Sequence, residues 1–438
     1  MRHLLCKSVT SNLVFISSHP FILSSRCIHV SHSLLEKEAE TIKIDKKDFR
    51  CSSYGLHMAL ARIGVIVKDK AFYNLKISEL KQNGASKIES LTGLPFHMRG
   101  DALGGSLGIS KAQFNKLLKQ VTNHMSSVSS VFVQDGALGS LPTCNAQVRV
   151  ISDGPSSVLS LSSALWGTST RAVSHDPCPV RVYVAESISE RVAAACGIGA
   201  QGNSGFIAAD IESSSLILCG KAFADTNGAK QALSALSGPI ISARGGLALP
   251  ARLLVLGDSM VLVFAPEDTI QSCSEFLVSA DAGVIFSSVA VAPLFQTGKS
   301  EEPDIYKLPA AVVVACTDSA GIIPSVSKLS PGQAAYHFLA GYQDGKFTPT
   351  FYKGPSSFDP LELANALLFK LKETQISSFL VNLSSRQKEI SGKDFVELVK
   401  LTLSNRIPPF QPKGRFLRER YKSYLMSKFQ ELPKEFSF

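Results

Sequence analysis

Apolar residues fall along this chain in short blocks, separated by turns rich in glycine, proline, serine and charge. Between Lys111 and His124 they recur at Phe114, Leu117, Leu118 and Val121, the spacing of one helix face, so a helix is predicted there. Short unbroken apolar runs bounded by turn residues read instead as buried strands. Such runs occur at Val131–Val133, Ala146–Ile151, Val180–Val184, Gly205–Asp210, Leu216–Gly220, Leu253–Leu256, Met260–Phe264 and Ala310–Ala315. Gly257-Asp258 separates two of them as a hairpin turn would. Helices are expected over Ser187–Cys196 and Lys230–Leu236, and Trp166 closes another apolar-periodic helix as a core residue rather than a ligand. Ser330-Pro331 marks a further helix start: serine offers a side-chain acceptor, and proline lacks only an N–H that has no partner there. Near the start, Ile63–Val67 is expected to be the first ordered piece, after a charged stretch. At 438 residues the chain is long enough for one large α/β body or two domains with a sizeable core.

Composition sharpens this. With 45% hydrophobic and 18% charged residues the chain is an ordinary globular sequence. No apolar run reaches the roughly 18 residues of a membrane helix. The first 35 residues carry Arg2, Lys7 and Arg26, are rich in serine, and contain no acid before Glu36. That pattern matches a mitochondrial transit peptide over residues 1–35 better than a secretory signal, with a plastid address as the weaker alternative. Without those three cations the net charge falls from +9 to about +6. The nine cysteines are scattered singly with no C-x-x-C pair, which argues against a zinc site and for free thiols in a reducing matrix.

One stretch is specific. From Thr317 to Phe351 the chain has Asp318, Ala320, Gly321, Pro324, Val326 and Leu329, then Gln333, Tyr336-His337-Phe338-Leu339, Gly341-Tyr342 and Pro349-Thr350-Phe351. This order resembles the ATP-type phosphoenolpyruvate carboxykinases, in which a strand runs into T-x-D-A-F-G-V-x-P-P-V-x-x-L, a helix carries Q-x-x-Y-H-F-L-x-G, and P-T-F follows. Weaker likenesses lie at Tyr73-Asn74-Leu75, Glu79-Leu80, Asp135, Gly139 and Val148-Arg149, so the resemblance runs over about residues 70–438 and is strongest at 310–382 and 407–438. It implies a two-domain carboxykinase-like α/β fold with mixed sheets: 36–240 as N-terminal domain and 241–438 as C-terminal, nucleotide-type domain.

The same resemblance places the family's chemistry, and there the residues depart from it. A P-loop needs glycines whose N–H groups close on phosphates, a lysine for the β/γ oxygens and a hydroxyl for Mg²⁺. After Met260–Phe264 stands Ala265-Pro266-Glu267-Asp268-Thr269-Ile270-Gln271-Ser272, with no glycine, Gln271 in the lysine's place, and only Thr269 or Ser272 as hydroxyl. Glu267 and Asp268 put acids where the triphosphate would lie. Like charges about 4 Å apart repel by about 4 kcal/mol near a protein surface. The substrate word T-G-R-S-P aligns with Thr92-Gly93-Leu94-Pro95, leaving Leu94 for arginine. The G-E-M-K-K word falls at Thr226–Lys230, the metal histidine at Ala248, and the metal aspartate region at Ser279–Gly283 with Asp281 alone. One carboxylate does not hold Mg²⁺ or Mn²⁺. The segment carrying the family's phosphate-binding arginine, after Asp304-Ile305-Tyr306, is missing, and the nucleotide-contacting K-R-I-S reads Lys388-Glu389-Ile390-Ser391.

Other motifs are decoys. Gly197-x-Gly199-x-x-Gly202 sits between a helix and a strand, the reverse of a dinucleotide fingerprint. Gly257-Asp258-Ser259 is a hairpin turn rather than a nucleophile, and His337 belongs to its helix rather than to catalysis. In the tail, Lys413, Arg415, Arg418, Arg420, Lys422 and Lys428 interleave with Phe416, Leu417, Tyr421, Tyr424, Leu425 and Phe429. This reads as a docked amphipathic helix with a solvated basic face, or as a contact for RNA or anionic lipid.

The expectation is therefore a phosphoenolpyruvate carboxykinase-like protein of the mitochondrial matrix without catalytic, cofactor-binding or metal-binding residues and without cofactors. It would serve as a structural or accessory subunit, with protein partners and an RNA contact through the basic C-terminal helix. Two alternatives stand beside it: an active, divergent carboxykinase using ATP and Mg²⁺ or Mn²⁺, and an RNA-binding mitochondrial protein.

Overall fold

The predicted strands assemble into three principal sheets in a computed structural model, which describes residues 53–100, 106–168, 179–188, 190–198, 204–298, 304–352, 354–385, 388–403, 406–411 and 415–438. Residues 1–35, read above as a transit peptide, and Lys413, Gly199 and Gly202 lie outside the described residues.

The largest sheet has eight strands in the order Lys70–Tyr73, Ser130–Leu138, Ala146–Ser152, Val180–Ala185, Ser215–Gly220, Gly205–Asp210, Phe96–Arg99 and Leu107–Gly108. Its pairings are mixed: Ser130–Leu138 runs antiparallel to Ala146–Ser152, which is parallel to Val180–Ala185. A second sheet orders Arg252–Leu256, Ser259–Phe264, Ala311–Cys316, Ser377–Asn382 and Val326–Leu329, with a parallel centre and antiparallel edges. The central strand Ala311–Cys316 is buried along its whole length, as expected for a strand covered on both faces. A four-stranded antiparallel sheet, Tyr306–Lys307, Ala290–Pro293, Val284–Phe286 and Leu247–Leu249, lies between the two larger ones. Ile285 and Ala292 pack into the core of the eight-stranded sheet, while Val284, Phe286 and Val291 pack into that of the five-stranded sheet. This alternation is what a two-residue strand period produces when both faces are covered. Residues 50–438 form one compact unit, and its fold is α/β with mixed sheets, as the sequence predicts.

Local chemistry explains the best-read elements. Ser330 caps the helix Pro331–Ala340 by accepting from the Gln333 N–H at 3.2 Å, and the Gln333 side chain accepts from the Ser330 N–H in return. The helix stops at Gly341 in the left-handed region, φ 54°, where a Cβ would lie 1.8 Å from the Thr348 carbonyl oxygen. Lys111–Ser127 is a helix with Phe114, Leu117 and Val121 buried. The hairpin at Gly257-Asp258 forms, with Leu256 opposite Ser259.

Several boundaries differ from the sequence reading. The first described element is the helix Ser53–Ala61, ahead of Ile63–Val67, which is a turn and extended coil. Gly55 and His57 interrupt its apolar pattern, and burial of Leu56 and Leu60 holds it in place. Trp166 lies beyond its helix, which ends at Ser162; its backbone N–H and carbonyl pair with Ala137, and its ring is buried. The helix over Lys230–Leu236 runs further, Thr226–Ala243, with Pro239 inside it, whereas Ser187–Cys196 is helical only over Glu190–Ala195.

The tail docks. Leu417, Tyr421 and Leu425 of the helix Arg415–Lys428 are buried, while Arg415, Arg418, Arg420 and Lys422 face solvent. Tyr421 joins Tyr336, Tyr342, Phe347 and Phe438 in an aromatic cluster around His337. His337 is fully enclosed, both ring nitrogens lack hydrogen-bond partners among the described residues, and burial pushes its pKa down to about 3. A ring so enclosed has no access to a substrate.

Candidate functional site

A cavity of about 520 Å³ brings together segments far apart in sequence. One wall is the helix Thr226–Ala243, another the Leu249–Arg252 corner, a third the Ala265–Gln271 turn, and the last the Thr348–Phe358 loop. The strand Ser259–Phe264 feeds the short Ala265-Pro266 link and the helix Glu267–Ser272.

Four charged side chains line it, and they are paired. The Lys230 Nζ lies 2.6 Å from Asp281, and the Arg252 Nη2 lies 3.1 Å from Glu267. In each pair the cation is deeper: Lys230 and Arg252 are 19% and 9% exposed, Asp281 and Glu267 40% and 48%. Arg252 also donates through Nε to the Ala280 carbonyl at 2.8 Å, and burial pulls its pKa down while Glu267 and Asp281 work against the shift. Its Nη1 has no hydrogen-bond acceptor among the described residues. Gln271 donates to the second Glu267 oxygen at 2.9 Å, fixing that carboxylate from the next helical turn.

Part of the lining is aromatic. Phe295, Phe351, Tyr352 and Phe358 form that part, and the Lys230 ammonium stands 5.4 Å from the Phe295 ring centre. Gly238 lets Phe358 lie against its helix, since a Cβ there would come within 2.7 Å of the Phe358 ring. Thr350 and Phe351 are consecutive non-glycine residues with φ of 56° and 59°, a conformation that costs about 1–3 kcal/mol each. Burial raises the Tyr352 hydroxyl pKa to about 12.

The structure gathers some of the positions expected to carry family chemistry and leaves others apart. Lys230, Ala248, Gln271 and Asp281 all line the cavity, so the separate words that point to them converge. Leu94 does not reach its wall; the Leu94 N–H donates to Asp225 at 3.2 Å, and Arg99 is held by Asp210 and Glu212. The Ser272 hydroxyl donates to the Thr269 carbonyl at 2.8 Å, and neither Thr269 nor Ser272 lines the cavity. Among the described residues no three His, Cys, Asp or Glu side chains come together as metal ligands would. The charge expectation needs correction: Glu267 and Asp281 are neutralised by Arg252 and Lys230, and exposed Asp268 is off the wall. The charged lining is balanced rather than acidic. Sequence reasoning missed Arg252 and the aromatic part of the lining. A lone arginine opening the apolar strand Arg252–Leu256 was the available signal.

Comparison with known proteins agrees with the central segment. The Phosphoenolpyruvate carboxykinase family profile matches residues 287–390. The chain is 30% identical over 103 residues to phosphoenolpyruvate carboxykinase (ATP) of Christiangramia forsetii, which is 20% of this chain and 19% of that protein. It is 34% identical over 108 residues to the Bacillus velezensis protein of the same name, 21% of this chain and 20% of that one. A third, from Flavobacterium johnsoniae, is 35% identical over 78 residues, 15% of either chain. These matches thus span about a fifth or less of the relatives' length. The profile takes in Phe295, Phe351, Tyr352 and Phe358 of the cavity lining; Lys230, Arg252, Glu267 and Asp281 lie outside it, as does the tail helix. Residues 287–390 are thus similar to the phosphoenolpyruvate carboxykinase (ATP) family.

Proposed function

We propose that this protein is a non-catalytic phosphoenolpyruvate carboxykinase-like protein, acting as an accessory or structural subunit of a mitochondrial assembly. The observation that carries the reading is the state of the cavity's cations. Catalysis of phosphoryl transfer requires cations aimed at the developing phosphate charge. Here Arg252 and Lys230 are each engaged by an internal carboxylate, and the turn Ala265–Ser272 offers no glycine backbone to wrap a phosphate. A triphosphate entering this wall would have to displace Glu267 and Asp281 from the cations they pair with.

The core is retained while the chemistry departs, which fits a protein used for its surface. The outward basic side chains of the helix Arg415–Lys428 and its exposed Phe416 supply a face for an anionic partner, RNA included. Calorimetric titration with ATP and Mg²⁺ or Mn²⁺ tests the reading: no saturable heat is expected at millimolar nucleotide. Saturable binding together with formation of phosphoenolpyruvate from oxaloacetate would establish the rival, an active enzyme. Co-purification from mitochondria tests the accessory role, which a chain recovered only as a free monomer would contradict.

A further inference from the structure

We propose that one helix-covered face of the eight-stranded sheet docks on an anionic phospholipid bilayer. The inference concerns residues 53–127 and is independent of how the cavity is read. That segment has ten Lys and Arg against four Asp and Glu, whereas residues 128–438 have 27 of each, so it carries the whole charge excess of residues 53–438. The helices Ser53–Ala61 and Lys111–Ser127 contain no acid at all. They lie on the same side of the sheet, since Leu56 and Leu60 of the first share a core with Phe114, Leu117, Val121 and Met125 of the second. The turn that follows the first helix is tied to the second, where the Ile66 N–H donates to the Ser126 hydroxyl at 2.9 Å. In that turn Arg62 and Lys68 are exposed, with Asp69 as the acid beside them.

The helix Lys111–Ser127 is the ridge of this face. It starts next to the edge strand Leu107–Gly108 and ends at the start of Ser130–Leu138, one strand in from the opposite edge. Its 17 residues run about 25 Å. Lys111 and Lys119 are exposed along it and make no ion pair among the described residues, while Lys116 ties to the Ala195 carbonyl. Exposed aliphatic side chains stand at both ends: Leu107 at one, 55% exposed, and Ile66 at the other, 61% exposed, with Met58 on the helix before it. Lysines between exposed aliphatic groups suit a lipid surface, because ammonium groups follow its diffuse negative potential and aliphatic groups enter the interface. Nucleic acid is gripped instead through arginine forks and stacked aromatic rings. The phenylalanines exposed among the described residues, Phe369 and Phe416, belong to other helices. No described helix is long and apolar enough to cross a membrane, so the contact is peripheral.

The test is flotation of the full chain with vesicles of phosphatidylcholine alone and with vesicles in which about a third of the lipid is phosphatidylglycerol. Binding is expected to the anionic vesicles only, and to weaken as salt rises. Lys111→Gln combined with Lys119→Gln is expected to weaken it by at least about tenfold, each lysine near the surface counting for about fivefold. Ile66→Ser combined with Leu107→Ser is expected to weaken it by about fivefold and to leave its salt dependence unchanged. All four side chains are exposed, and a melting scan establishes that both variants are folded. Arg415→Gln with Lys422→Gln in the tail helix is the control, expected to leave the lysine-dependent binding in place. Equal binding to neutral vesicles would overturn the proposal, and so would anionic binding that survives loss of Lys111 and Lys119, which assigns it to another basic segment. RNA bound through the same two lysines, with the vesicles left unbound, would overturn it as well. Turnover with ATP bears on the non-catalytic reading alone.

Discussion

Replacing His337 with phenylalanine should make the protein more tolerant of acid, although His337 lies in the most recognisable word of the chain. The imidazole is 1% exposed and sits among Phe410, Tyr421 and Phe438, with ring centres 5.1, 5.3 and 5.3 Å away. Neither nitrogen has a partner among the described residues, and burial lowers the folded-state pKa to about 3 from an unfolded value of 6.5. The sign follows from proton uptake. Below pH 6.5 the unfolded chain binds a proton that the folded chain refuses, so stability is lost as pH falls through that window toward 3. Each pKa unit is about 1.4 kcal/mol, so from pH 7 to pH 5 the wild type loses about 2 kcal/mol through this residue. His337→Phe removes the loss. Its stability at pH 7 depends on two opposed effects, relief of unpaired nitrogens and the extra bulk of the ring, each about 1–3 kcal/mol. The difference between the two proteins on acidification is free of both. Urea unfolding at pH 7, 6 and 5 should show the variant gaining on the wild type by about 2 kcal/mol over that range. A constant difference across pH would refute the account, since it would mean that His337 takes up its proton in the folded state or meets a hidden partner.

Two further substitutions test the loop and helix that follow the central strand. Asp318 is buried, and its carboxylate accepts from the N–H groups of Ala320, Ile322 and Ile323 at 3.2, 2.7 and 2.7 Å. Asp318→Asn removes the charge from all three bonds and turns one acceptor into a donor, so a loss of about 2–4 kcal/mol is expected in urea unfolding; a loss below about 1 kcal/mol would deny the carboxylate its organising role. Gly341→Ala places a Cβ in the left-handed region and 1.8 Å from the Thr348 oxygen, which should cost more than about 3 kcal/mol or prevent folding. Near-wild-type stability would mean that the Gly341 turn rearranges without penalty.

What the sequence made legible is local. The capping box at Ser330 and Gln333, the glycine stop at Gly341, the hairpin at Gly257-Asp258 and the apolar stripe of Lys111–Ser127 each depend on residues within one or two turns of each other. The tail helix was readable for the same reason, because Leu417, Tyr421 and Leu425 recur at helical spacing. The cavity was not readable in this way. Lys230 meets Asp281 across 51 residues and Arg252 meets Glu267 across 15, and only the strand order brings them together. Taken one at a time, Glu267 reads as an acid set against a phosphate and Asp281 as a lone metal-region carboxylate; beside their cations they close two neutral pairs. Their electrostatic consequence is not legible in the sequence, because the sign of a local field depends on partners that sequence distance hides.

The measurement that bears most directly on the central claim is the formation of phosphoenolpyruvate by the full chain from oxaloacetate, ATP and Mn²⁺. With Arg252 and Lys230 held by Glu267 and Asp281, the account predicts no product above the protein-free control. Product formed at the rates usual for enzymes, about 1–1,000 per second, would contradict it.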